Sequence, residues 1–95
     1  MYLSTANDRI EIVTDASAAT TEPVFTASYQ DITSAGMTLP QSSSQGSTAG
    51  TTDTTLVAAP AASTNRQVTY MSVFNSDTAA RTIRIYKDVS GTEYN

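Results

Sequence analysis

Three segments form the apolar spine of this 95-residue chain: Thr54-Thr55-Leu56-Val57-Ala58-Ala59-Pro60, Gln67-Val68-Thr69-Tyr70-Met71-Ser72-Val73-Phe74 and Arg81-Thr82-Ile83-Arg84-Ile85-Tyr86-Lys87-Asp88. Side chains leave a strand on alternate faces, so the spacing of apolar residues tells which face is buried. In the third segment Ile83 and Ile85 share one face and Thr82, Arg84 and Tyr86 the other, which predicts a strand with one wet face. In the second, Val68, Tyr70 and Phe74 lie on one face and Met71 and Val73 on the other, which predicts a central strand covered on both sides. Asn75 to Ala80 between them has the Asn, Ser and Asp of an Asx turn. Two strands and a short loop predict a hairpin. The first segment is strand-like up to Pro60, and Ala61 to Asn65 turns the chain.

Upstream, Asn7 to Thr14 alternates with Ile10 and Ile12 on one face and Arg9, Glu11 and Val13 on the other, a half-buried strand. Asp15 to Pro23 reads as a loop, and Val24 to Ile32 as a strand placing Phe25, Ala27 and Tyr29 together. A turn at Ser34-Ala35-Gly36 and a short apolar extension, Met37-Thr38-Leu39, lead to Pro40. Gln41 to Asp53 is almost entirely Ser, Thr, Gln and Gly, which predicts a flexible polar loop, long enough to be a binding loop as well as a solvated one. Downstream, Val89-Ser90-Gly91-Thr92 is a turn, and Glu93-Tyr94-Asn95 begins a return strand whose open edge invites a partner or a longer natural chain.

These elements predict one all-β domain over residues 1–95, a small antiparallel β-sandwich or jelly-roll-like fold. Residues 1–14 form an extended N-terminal arm or strand, 41–53 the flexible loop and 54–95 the core hairpin region. Leu, Ile, Val and Phe together number 16, about 17% of the chain, which is thin for an independent core. The absence of cysteine rules out a disulfide remedy. Completion of the sandwich by partner chains is therefore expected.

Composition also restricts chemistry. With no His and no Cys, the usual general base, thiol nucleophile and soft metal ligands are missing, and the nine acidic residues are scattered singly. Neither an enzyme nor a cofactor is expected. Asp77 with Asn75, or Asp88 with Glu93, has oxygens suited to calcium, but turn formation is the simpler role of such residues. A net charge of −4 without a basic cluster argues against nucleic acid, and no apolar run is long enough to span a membrane as a helix. The start Met1 to Arg9 lacks the basic and apolar regions of a signal peptide, so synthesis and use without Sec export are expected. Candidate interface residues are Ile10, Ile12, Tyr29, Arg66, Arg84, Tyr86 and Tyr94. Arginine and tyrosine are enriched at subunit contacts, while solvated arginines and core tyrosines account for the same spacing.

Leu56 to Ser63 with Arg66 and Val68, the strand end Val73-Phe74-Asn75, and Thr78 to Ile85 together resemble a motif of tailed-bacteriophage virion proteins. There an Ala-Pro turn precedes an apolar strand, a loop after Asn and a strand alternating Val, Ile and Thr. Met1-Tyr2-Leu3 with Asp8-Arg9-Ile10 is similar to the starts of small proteins in that setting. The resemblance covers roughly half the chain and implies a capsid decoration (cement) protein or head-fibre base. Its partners would be the major capsid protein and copies of itself, as a homo-oligomer and in the leading form a trimer. It would be made in the host cytoplasm and reside on the capsid surface. A host-attachment fibre or adhesin module that binds surface glycans, and a tail or neck connector subunit, are the competing readings.

Overall fold

A computed structural model describes residues 2–33, 36 and 40–94. The Met37-Thr38-Leu39 extension, Ser34, Ala35 and the ends Met1 and Asn95 lie outside the described residues. The strands are β1 (Tyr2–Leu3), β2 (Asp8–Thr14), β3 (Val24–Thr33), β4 (Ser42–Ser47), β5 (Thr54–Val57), β6 (Thr64–Phe74), β7 (Ile83–Val89) and β8 (Thr92–Tyr94). They form two antiparallel four-stranded sheets, sheet A in the order β1-β6-β3-β4 and sheet B in the order β5-β2-β7-β8. The chain is a small β-sandwich.

Its core is the set of residues whose alternation points between the sheets: Leu3, Ile10, Ile12, Phe25, Ala27, Leu56, Val57 and Val68. Burying a large aliphatic side chain contributes roughly 1.5–3 kcal/mol, so these few residues carry most of the hydrophobic stabilisation. Tyr29, Met71, Val73, Ile83 and Ile85 pack around them, half-buried.

The expected hairpin is absent, because the strands on either side of Asn75–Ala80 belong to different sheets. β6 pairs with β3, β7 pairs with β2, and residues 75–82 cross from one layer to the other. β6 also differs from a strand covered on both faces. Ser28 opposes Tyr70 and Tyr29 opposes Val68, which leaves Thr69 as an extra residue without an opposite number. Such a bulge reverses the alternation beyond it. Val68, Met71 and Val73 thus all reach the core, while Tyr70 and Phe74 point outward. A second bulge works in the same way in β5, where Ile10 opposes Val57 and Glu11 opposes Thr55, so that consecutive Leu56 and Val57 are both buried.

One further expectation is corrected. The segment read as a flexible loop over 41–53 contributes β4, whose Ser42–Ser47 backbone pairs with Tyr29–Val24 of β3. Its composition suits the place: Ser44 opposes Ala27 and Gly46 opposes Phe25, and a Cβ on Gly46 would lie 2.8 Å from the Phe25 ring tip. Small residues are required where the Phe25 ring crosses beneath the strand. The N-terminal segment, expected as an arm or a strand, carries two strands, β1 and β2. Tyr2 and Leu3 pair with Gln67 and Arg66 of the same chain, and the Asp8 carboxylate closes the turn behind them by accepting from Ser4 N (3.2 Å) and Thr5 Oγ1 (2.8 Å). The Ser90-Gly91 turn forms as expected, with φ values of 52° and 92° that match a primed two-residue hairpin turn.

Gly46→Ala is expected to lower stability by about 1–3 kcal/mol, since a methyl group there must displace the buried Phe25 ring. Urea unfolding of the two proteins measures the difference; equal midpoints would mean that residues 42–47 do not pack against β3.

Candidate interaction surface

The register of sheet A sets its outer face residue by residue. Successive rows across β4, β3 and β6 are Ser47, Val24 and Phe74; Gln45, Thr26 and Ser72; Ser43, Ser28 and Tyr70. Beyond the bulge the face continues through Gln30, Gln67 and Tyr2. None of the chain's five basic and nine acidic residues lies on this face. The two charged residues of sheet A's strands, Asp31 and Arg66, share the inward side with Leu3. Three rings stand out from the hydroxyl and amide background: Phe74 is 67% exposed, Tyr70 57% and Tyr2 51%. A face without charge and with exposed aromatic rings has the composition of the centre of a protein interface.

Sheet B presents the opposite chemistry. Its outer face carries Arg9 opposite Asp88, Glu11 opposite Tyr86 and Val13 opposite Arg84, with Glu93 beside Asp88. Tyr86 faces outward as its alternation requires, yet it is only 2% exposed. The Arg84 guanidinium lies over its ring at 4.3 Å and is itself tied to Glu93 at 2.8 Å. The Tyr86 hydroxyl makes no hydrogen bond of good geometry. Burial, followed by the nearby Asp53, Glu11 and Glu93 carboxylates, pushes its pKa far above the usual phenol value. Burial and the adjoining Asp88 carboxyl also raise the pKa of Glu11, against the pull of Arg9. Among the described residues, no three His, Cys, Asp or Glu side chains converge to hold a metal ion.

One end of the sandwich is closed by a carboxylate latch. The Asp77 carboxylate accepts from the backbone N–H groups of Ala19 (3.0 Å), Thr20 (2.9 Å) and Thr78 (2.8 Å) and from Arg81 Nε (2.7 Å). It joins the β2–β3 loop to the β6–β7 crossing, and its pKa is held far below the ordinary carboxyl value, first by Arg81 and then by these amides. The expected Asx turn is present, with Asp77 N donating to Asn75 Oδ1 at 3.0 Å. Glu22 ties the same loop to the β4–β5 connection by accepting from Thr48 Oγ1 at 2.7 Å, and that hydrogen bond lowers its pKa.

The seven candidate interface residues do not converge on one surface. Ile10 and Ile12 are wholly buried in the core, and Tyr86 is enclosed under Arg84. Arg66 is spent internally: it makes a two-pronged pair with Asp31 (2.8 and 3.0 Å), donates to the Ala58 carbonyl at 2.7 Å and stacks on Tyr29 at 4.1 Å. Arg84 and Tyr94 remain accessible, both on the sheet B side. The exposed rings Tyr70 and Phe74 escape an alternation argument because only the Thr69 bulge turns them outward. The signal that finds them is the absence of charge from Val24 to Gln30, Gln41 to Ser47 and Gln67 to Phe74.

Asp77→Asn is expected to lower the urea midpoint at neutral pH and to do so more than Asp15→Asn. A lowered folded-state pKa gives stability that is present above the unfolded value, 3.8, and lost as pH falls through the folded one, so the deficit should shrink below about pH 4. Glu11 has the reverse sign. Its folded-state pKa lies above 4.5, so acidification from neutrality toward pH 4.5 should stabilise the native protein. Glu11→Gln should remove that gain, and an unchanged pH profile would contradict the assignment.

Comparison with family models, with curated proteins and with solved structures finds no match for this chain.

Proposed function

We propose that this chain is a non-enzymatic structural module that docks through the outer face of sheet A onto a larger protein assembly. The observation that carries the reading is the segregation of charge: one sheet face has none and displays Tyr2, Tyr70 and Phe74. Leaving these rings in water has a hydrophobic cost that a docked partner removes, and a face without charge brings no ionic desolvation penalty when it is covered.

The specific form is the one implied by the motif resemblance of residues 56–85, and it rests on that resemblance alone. It is a decoration (cement) protein of a tailed-bacteriophage capsid, made in the host cytoplasm and carried on the virion surface. The major capsid protein and further copies of this chain are its partners. A protein that binds only the assembled shell stabilises it by mass action, because taking the shell apart then also requires releasing the bound copies.

A second reading has its own support on the same face. Exposed rings among Ser, Thr and Gln side chains also suit stacking and hydrogen bonding to a sugar, as a host-attachment fibre or adhesin module would require. A tail or neck connector would use the face as a decoration protein does, at another place on the particle.

Purified protein added back to stripped capsids should bind at micromolar concentration and raise their disassembly temperature. Tyr70→Lys and Phe74→Lys change exposed side chains and should each weaken that binding by about tenfold or more, the loss typical of a central aromatic contact. Absence of binding to capsids together with glycan-array signals that vanish in Tyr70→Lys would replace decoration by attachment.

A further inference from the structure

We propose that two copies of this chain associate by antiparallel pairing of β6 with β6′ over Tyr70–Phe74, joining the two sheets A into one eight-stranded sheet across a two-fold axis at Ser72. Among the described residues, β6 is paired on its β1 side only at Arg66 and Gln67, so Tyr70–Phe74 presents an unpaired backbone edge there. β5 lies against β3 and β4, which puts β1 and β8 on the same flank of the sandwich. β8 covers β7 only at Lys87–Val89. At the latched end, the edges of β6 and β7 are therefore open one above the other. Met71 and Val73 of β6 and Ile83 and Ile85 of β7, four of the five half-buried residues around the core, are on these two strands.

The side chains say what covers this flank. An antiparallel two-fold at Ser72 sets Tyr70 opposite Phe74′ and Phe74 opposite Tyr70′ on the outer face, and Met71 opposite Val73′ on the inner one. Aromatic pairs across strands add to pairing, and two thioether–valine contacts close the half-open core. Five uncharged residues meet their own copies without like-charge repulsion, and they include none of the lysines or prolines that guard an edge. The other edges lack this combination. β4 is uncharged but has only Ser, Gln and Gly to bury, β5 is broken by its bulge at Leu56, and β8 would bring Glu93 close to Glu93′. A second copy of the chain is thus the occupant that fits, and a two-fold axis closes the assembly at a dimer rather than at the trimer implied by the virion resemblance.

This inference deepens the self-association part of the proposed function, but it concerns the free protein, so failure to dock on a capsid leaves it untouched. The chain has no cysteine, which makes single-cysteine cross-linking unambiguous. Ser72→Cys should give a disulfide-linked dimer in high yield under mild oxidation. Gln45→Cys, in the same row of the same face but on β4, should not. Sedimentation equilibrium should show the wild-type protein as a dimer at micromolar concentration, and Ser72→Lys, at an exposed position, should shift it toward monomer severalfold while keeping its circular dichroism. A monomer at all accessible concentrations, a trimer, or cross-linking through Cys at position 45 in preference to position 72 would overturn the proposal.

Discussion

The bulge at Thr69 is the constraint on which the surface of this protein depends, because a chain with so few large apolar residues must bring most of them between its sheets. Val68 and the pair Met71 and Val73 stand on opposite faces of an unbroken strand. With one extra residue between them, all three reach the core. The same step turns Tyr70 and Phe74 out of it, so the exposed rings are the geometric counterpart of the buried ones. Leu56 serves sheet B in the same way, placing two consecutive apolar residues in the interior of a four-residue edge strand.

Polar groups complete what the small core begins. No disulfide is available, and the loops at one end are instead tied by two carboxylates, Asp77 and Glu22, that accept backbone and hydroxyl hydrogen bonds from segments far apart in sequence. The Arg66–Asp31 pair does comparable work inside the sandwich, holding the Ala58 carbonyl against sheet A. On the outer face of sheet B the ionic groups pair with one another around Tyr86. Charges used in this way are internal to the molecule. They leave the outer face of sheet A as the one that carries no charge.

Much of the fold was legible in the sequence wherever alternation ran unbroken. Ile10 and Ile12, Phe25 and Ala27, and Ile83 and Ile85 all point to the side that their spacing indicates, and the Ser90-Gly91 turn and the Asn75-Asp77 Asx turn lie where their residues place them. Illegible were the features that depend on a neighbour. A Ser-rich stretch becomes β4 because β3 offers an edge and Phe25 needs a glycine above it. β6 and β7 look like a hairpin because nothing local to residues 75–82 says that the chain changes layer. The candidate surface was hidden too: Tyr86 and Tyr70 have similar spacing, but Arg84 of the same strand, held by Glu93 of β8, folds over one and a bulge exposes the other.

The central claim is that one extra residue in β6 sorts its side chains into a buried set and a displayed set. Cross-strand nuclear Overhauser contacts between β3 and β6 in solution test it most directly. The account predicts that Ala27 faces Met71, Ser28 faces Tyr70 and Tyr29 faces Val68, with no partner across from Thr69. An unbroken register, with Tyr29 opposite Thr69 and Gln30 opposite Val68, would contradict it and remove the basis for the charge-free aromatic face.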